Sequence, residues 1–254
     1  VGVTLEGGKY TFDFTLAERW LDMCDRVGVK YIEVAHLFTQ WGAYHAPKIM
    51  ATVDGEYKRI FGWDTDASGE EYVSFLQAFL TEFTALLEKR GDKERTYFHI
   101  SDEPNDQHLE QYKKNRENVL KVLDGWKILD ALSHIEYYKQ GLCEYPVAYT
   151  PRLGDFLPED IKERWTYYCC GPTYHYSNRF LAGSLPRVRS LGMQMYKYGI
   201  EGFLHWGYNW WRDGSDPFKD TIVLKRKPPL PAGDTHIVYP GKDGPLSLIH
   251  ISEP

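Results

Sequence analysis

The chain has 254 residues, 43% of them hydrophobic, which suits one α/β barrel domain or two small domains. A net charge of −6 with no basic run argues against nucleic acid and anionic membrane surfaces as partners. No stretch reaches the roughly 18 apolar residues of a membrane span, and the four cysteines (Cys24, Cys143, Cys169, Cys170) form no C-x-x-C pair for a zinc ribbon or thioredoxin-type motif.

Residues 10–14 alternate and predict a strand. Leu16, Trp20, Leu21, Met23, Cys24 and Val27 recur at helical spacing, and Gly28 suits a helix C-cap. Residues 30–38 predict a second strand, with Glu33, His36 and Phe38 near or past its end. Strand, helix, strand is the rhythm of a parallel sheet. An aromatic loop over 40–47 and an Asp-Gly hairpin over 52–57 follow. Residues 70–89 predict an amphipathic helix, with Tyr72, Phe75, Leu76, Phe79, Leu80, Phe83, Leu86 and Leu87 on one face. The apolar run 97–100 is a buried strand stopped by Pro104, and Asp106 is placed to cap a helix over 108–123. A short strand over 130–133, a short helix opening at 157–161 and a strand over 165–170 packing its two thiols come next. A helix over 185–198 ends at Gly199. A strand over 202–206 runs into a dense aromatic loop, and 231–241 reads as loop, short strand and turn. The total is about five or six βα units, an α/β TIM-type (β/α)8 barrel incomplete at one or both ends.

Aromatic residues make up 15% of the chain, with 8 Trp and 19 Tyr. Such content suits a sugar-binding surface, where rings stack on apolar sugar faces, and equally suits an aromatic core. Trp41, Trp206, Tyr208, Trp210 and Trp211 all follow predicted strands, where indoles either line a sugar site or plug the barrel end. The nine histidines show no H-E-x-x-H or other paired ligand spacing, so no metal is expected. His36 and His205 are placed to bond substrate hydroxyls, whereas His99 precedes its strand end and reads as a satisfied core histidine. Without a G-x-G-x-x-G, a P-loop or a G-x-S-x-G elbow, no cofactor is expected and Ser-His-Asp catalysis has no support.

The stretch 97–104, Y-F-H-I-S-D-E-P, carries the clearest chemistry. Neighbours on a regular strand point apart, but alternation relaxes at a strand's C-terminal end, so Asp102 and Glu103 can reach one cleft. Active sites of parallel α/β barrels lie at that end. Two carboxylates in one cleft are the usual equipment for glycoside hydrolysis. The competing reading has Asp102 capping the next helix and Glu103 solvated in a loop.

The segment F-H-I-S-D-E-P at 98–104 is similar to the catalytic motif of glycoside hydrolase family 123. So are I-E-V-A-H-L-F-x-Q-W-G at 32–42, A-P-K at 46–48, G-F-L-H-W-G-Y-N-W-W at 202–211 and P-A-G-D-x-x-I-V-Y-P-G at 231–241. This resemblance implies a (β/α)8 barrel that cleaves N-acetyl-β-galactosaminides with retention, the substrate's own 2-acetamido oxygen attacking the anomeric carbon. Under it, Asp102 would orient and polarise the acetamido group and stabilise the oxazolinium-type intermediate. Glu103 would protonate the leaving oxygen and then activate water. That division asks for a raised pKa at Glu103, which an anionic Asp102 and an apolar wall would supply. By position, His36, Trp41, Tyr176, Arg179, Trp206, Tyr208 and Asn209 are the candidates for the sugar subsite. The expected partner is a glycan or glycoconjugate. The family further implies an extracytoplasmic location and an N-terminal β-sandwich domain ahead of the barrel. Two alternatives stand beside this reading: a glycosidase of other specificity, such as for β-N-acetylglucosaminides, and a non-catalytic carbohydrate-binding barrel. The presence of both carboxylates weighs against the second, since a binder needs no acid.

The chain opens Val1-Gly2-Val3 without Met, which suggests a fragment or a trimmed form. Residues 246–254, L-S-L-I-H-I-S-E-P, match the translation of a sequencing adapter. The expectation is therefore a partial catalytic barrel over 1–245 and a non-native tail over 246–254, with His250 and Glu253 outside any site.

Overall fold

A strand returns to the same face about every 6.7 Å and an α-helix about every 6 Å, so the two can zip along one line. The computed structural model describes residues 1–211, 216–219, 229–242 and 244–247, and uses that match in the first of its two units, Val1–Pro146. In chain order this unit holds β1 (Gly2–Glu6), β2 (Lys9–Asp13), α1 (Thr15–Val27), β3 (Ile32–Glu33), β4 (Ile49–Val53), β5 (Glu56–Phe61), α2 (Glu70–Arg90), β6 (Thr96–Phe98), α3 (Leu109–Leu123), β7 (Lys127–Leu132) and the single turn α4 (Glu136–Lys139). Tyr10, Phe12 and Phe14, two apart along the strand, meet Phe75, Phe79 and Phe83, four apart along α2. Their ring centroids lie 5.0, 5.5 and 5.6 Å apart.

β2 belongs to a four-stranded sheet in the order β2-β1-β4-β5, with only β1 and β4 parallel. The expectation that 10–14 opens the barrel rhythm is therefore corrected: this strand pairs back on β1 as a hairpin. The predicted hairpin at 52–57 is present, and its Asp54-Gly55 turn has φ of 49° and 85°. Two left-handed residues in a row make the turn twist with the strands it joins.

The wholly parallel ladder of this unit is β3-β6-β7. The predicted strand over 30–38 is shorter than expected, with only Ile32–Glu33 in the ladder. Beyond it, Val34, Leu37 and Phe38 N–H groups still donate to the carbonyls of Tyr97, His99 and Ile100. α2 runs from Glu70 to Arg90 and stops at Gly91, whose left-handed φ of 79° lets its N–H turn back to the last carbonyls. α1 has the predicted spacing but buries only Leu21 and Cys24, leaving Leu16, Trp20, Met23 and Val27 exposed. α3 follows, and its entry is fastened by Asn105 rather than Asp106. The Asn105 side chain accepts from Gln107 N–H at 2.9 Å, while Asp106 pairs with His134 at 2.8 Å.

The second unit is Val147–Pro254. Here β8 (Tyr145–Tyr149), which starts at the boundary, pairs in parallel with β9 (Trp165–Tyr167), and β9 with β10 (Gly202–Leu204). β8 is a strand that the sequence reading missed. The short helix expected at 157–161 instead closes as α5 (Leu153–Phe156), one turn earlier, with Leu157 as its C-cap. α6 (Leu185–Tyr198) has its predicted bounds. β11 (Val238–Pro240) pairs with β12 (Pro245–Ser247). Thus Leu246 and Ser247 join a hairpin, while the rest of the suspected tail, His250 and Glu253 included, lies outside the described residues. β9 ends before the two thiols, so Cys169 is half-buried and Cys170 exposed rather than packed. No helix among the described residues is long and apolar enough to cross a membrane.

Candidate active site

Asp102 and Glu103 come just after His99, Ile100 and Ser101, which continue β6 past Phe98, at the C-terminal end of a parallel ladder. The backbone there is fastened before it is bent. The Ser101 hydroxyl, fully buried, donates to the Thr39 carbonyl at 2.9 Å, and the Trp41 N–H donates to the Asp102 carbonyl at 2.9 Å. Glu103 then takes a left-handed φ of 46°. For a residue with a Cβ that conformation costs of order 1–2 kcal/mol, and such outliers cluster at functional sites. It breaks the strand's alternation, so that Asp102 and Glu103 need not point apart. Trp41 and Ala43, on the loop stitched to this turn, are left-handed too, with φ of 60° and 58°. The next helix is capped by Asn105, so the reading of Asp102 as a cap is set aside.

A buried charge network lies beside the pair. The ring of His99, 1% exposed, places Nδ1 3.1 Å from Asp130 Oδ1 and Nε2 2.9 Å from Glu33 Oε1. The Glu33 contact is close but poorly aligned with the ring N–H, so it is an ion pair more than a hydrogen bond. Asp130, fully buried in β7, accepts from the Ile100 N–H at 3.1 Å and the Tyr112 hydroxyl at 2.6 Å. Burial works to strip the charge from His99, but its bonds to the two carboxylates prevail and push its pKa up to about 9. Burial likewise opposes ionisation of Glu33, and the His99 contact overcomes it and holds that carboxyl below its ordinary value. Asp102 is pushed up to about 7, first by burial and then by the charges of Glu103 and Asp130, against a smaller pull from His99. That shift falls on Asp102, whose carboxyl the sequence reading had taken as anionic.

His36 joins this group, its ring 4.7 Å from that of His99, and burial and the His99 charge lower its pKa. His36, His99 and Asp130 bring three potential metal-ligand atoms within 4.8 Å of one another. Both nitrogens of His99 already face carboxylates, and a ring protonated at both has no lone pair for a cation. The trio therefore reads as an ion-pair network.

The remaining candidates lie in the second unit. Trp206, Tyr208 and Tyr176 are exposed rings. Arg179 donates through Nε to the Gly233 carbonyl and through Nη2 to the carbonyls of Gly207 and Asp234, pinning two loops together. Gly207 is required there, since a Cβ would sit 2.3 Å from the Asp234 carbonyl oxygen. Buried Asp234 accepts from Trp206 Nε1 at 3.3 Å and lies 3.5 Å from His205 Nε2, holding the indole in place. Asn209 bridges to His236. Sequence reasoning missed Glu33, Asp130, Tyr112 and Asp234 as site residues. Asp130 had a signal: a carboxylate inside the apolar run K-I-L-D-A-L is out of place unless something pairs with it.

Comparison with known proteins follows the same line. The family model for the catalytic domain of glycoside hydrolase 123 matches residues 1–253. Among solved structures, a family 123 glycoside hydrolase from Clostridium perfringens, studied for glycolipid glycan hydrolysis, aligns with a TM-score of 0.72 and 16% identity. The alignment covers 95% of this chain and 42% of that one, so the chain spans less than half of that protein's length. At this identity the likeness is one of fold. No curated protein matches the chain.

Proposed function

Because the chain belongs to the glycoside hydrolase 123 catalytic-domain family, we propose that it is a retaining, exo-acting glycosidase that removes terminal β-N-acetylgalactosamine by substrate-assisted catalysis. Its parallel strands are, in this reading, those of a (β/α)8 barrel, and its partner is a glycan or glycoconjugate. The observation that carries the proposal is the turn after β6, where two consecutive carboxylates share a half-buried setting and the second has left-handed backbone.

The chemistry divides between the two. Asp102 accepts the acetamido N–H, which turns the acetamido oxygen toward the anomeric carbon and makes it more nucleophilic. The glycosidic bond breaks as that oxygen attacks, and Glu103 gives its proton to the leaving oxygen. An oxazolinium-type intermediate forms on the sugar, its positive charge faced by Asp102. Glu103, now anionic, takes a proton from water, which opens the ring with overall retention. Two close carboxyls in a half-buried site resist ionising together, so the pair keeps one proton at neutral pH. Substrate decides where that proton sits, since the acetamido N–H needs an acceptor and the leaving oxygen needs a donor. Trp41, on the loop stitched to this turn, offers an exposed stacking face for a sugar, and Trp206, Tyr208 and Tyr176 are exposed rings within the second unit.

The test is release of p-nitrophenol from the β-N-acetylgalactosaminide, the gluco isomer and the plain β-galactoside. Turnover is expected for acetamido sugars alone, with kcat lowered about 10²–10⁴-fold in Glu103→Gln and in Asp102→Asn. Equal turnover of the plain galactoside would mean that a protein nucleophile exists. A folded protein that binds sugar and turns over none of the three would be a binding barrel.

A further inference from the structure

Glu33 ends β3 in register with Tyr97 of β6, the strand whose continuation carries Asp102. Its side chain is 50% exposed, with Oε1 2.9 Å from His99 Nε2. The second carboxylate oxygen has no partner among the described residues. Behind it the chain of contacts runs inward without a break: His99 is held at Nδ1 by Asp130, and Asp130 by the Ile100 N–H and the Tyr112 hydroxyl. His99 and Asp130 are almost wholly buried. Stability alone does not call for such a line. A half-exposed ion pair contributes little, and a buried charged pair often does no better than apolar residues of the same volume. What the line does accomplish is to fix the direction of one ionised, solvent-facing carboxylate. The charged and titratable groups around it are His99, His36 and Asp102, with Asp130 behind His99.

We infer that Glu33 is a substrate-contacting residue, held beside the Asp102–Glu103 pair by the His99–Asp130 couple so that its outward oxygen accepts a hydrogen bond from a ring hydroxyl of the sugar. The inference rests on the glycoside reading above and adds a third carboxylate to it, one that binds and does not react. His99 and Asp130 are positioning residues, acting through Glu33. A carboxylate acceptor rewards a hydroxyl and rejects a deoxy or blocked position, because the bond to a charged group is the stronger kind and its loss leaves the ion unpaired.

The experiment is calorimetric titration of N-acetylgalactosamine into the wild-type chain, Glu33→Gln, Glu33→Asp and Asp130→Asn, alongside kcat and KM. Glu33→Gln is expected to weaken sugar binding roughly 10- to 100-fold, with KM raised and kcat within a few-fold of wild type. Glu33→Asp keeps the charge on a shorter stem and recovers part of the affinity. Asp130→Asn falls between wild type and Glu33→Gln. Glu33 is half-exposed, so its variants keep the wild-type Tm to within a few degrees. Unchanged affinity and KM in folded Glu33→Gln would overturn the inference while leaving a turning-over enzyme intact. Glu33-dependent binding without turnover would instead overturn hydrolysis and leave the inference standing. A wild-type chain that binds no sugar would overturn both.

Discussion

The two groups of candidate residues are held by opposite means. In the first unit side chains hold side chains: Glu33, His99, Asp130 and Tyr112 form a line of charge and hydrogen bonds beside Asp102. In the second unit a side chain holds backbone: Arg179 gathers the carbonyls of three residues on two loops, and the exposed aromatic rings sit on those loops. One arrangement sets protonation and the direction of a carboxylate. The other sets loop shape with a guanidinium that stays charged across the working range, and burial together with that charge holds His205 and His236 below their ordinary pKa. The lesson is that a charged residue in a site's neighbourhood is read by what it touches. Arg179, bonded to three carbonyls, shapes loops, whereas Glu33, half-exposed against a buried histidine, is the residue proposed to meet a sugar.

Breaking the first arrangement has the greater effect. Asp130→Ala removes one partner of a buried ion pair and orphans His99, the Ile100 N–H and the Tyr112 hydroxyl. The expected loss is about 3–5 kcal/mol, read from denaturant unfolding. Its pH dependence follows from His99. A histidine raised to about 9 in the folded state stabilises fully below its ordinary unfolded pKa of about 6.5, and that contribution is lost as pH rises through 9. The wild type should therefore weaken between pH 7 and 9.5 as His99 sheds its proton, and Asp130→Ala should weaken less over the same interval, its His99 already near an ordinary value. An equal slope in both would mean that another group governs it.

Breaking the second arrangement is milder. Arg179→Met should cost about 1.5–3 kcal/mol from the lost charge-assisted bonds to the carbonyls. Arg179→Lys should recover little of it, because one ammonium cannot span carbonyls that a planar fork reaches together. Unfolding midpoints at pH 6 and pH 8 sharpen the comparison: Arg179→Met, which frees His205 and His236 to take a proton, should show a smaller deficit at pH 6 than at pH 8, while Arg179→Lys, which keeps the charge, should show the same deficit at both. An Arg179→Met deficit equal at the two pH values would detach Arg179 from the two histidines.

Much of this was legible in the chain. Periodicity gave α2 and α6 because both are long and amphipathic, and the Asp-Gly pair gave its hairpin because left-handed backbone there needs such residues. α1 shows the limit of the same signal. Its apolar spacing is as regular as that of α2, yet α2 buries Tyr72, Phe75, Leu80 and Leu87 while α1 leaves most of its apolar face exposed. Spacing says which face is apolar and nothing about what covers it. β2 was placed in the wrong sheet for a related reason: alternation marks a strand without naming its neighbour. Asp106 lost the cap to Asn105 by one position, a margin that depends on where the turn's φ and ψ fall. The Asp102–Glu103 pair could be read from its place after an apolar run and before proline. The line behind Glu33 could not, because Glu33, His99 and Asp130 come from three strands and meet only when those strands pair.

The central claim is that Asp102 and Glu103 act as a coupled pair on a sugar that carries its own nucleophile. Its most direct test is the pH dependence of kcat/KM on p-nitrophenyl β-N-acetylgalactosaminide. The competent pair holds one proton, and the carboxyl of Asp102, pushed up to about 7 by burial and by the charge of Glu103, marks the loss of that last proton, so activity should fall as pH rises along a limb centred near 7. Activity that held level from pH 6 to pH 9 would contradict the coupling that this account rests on.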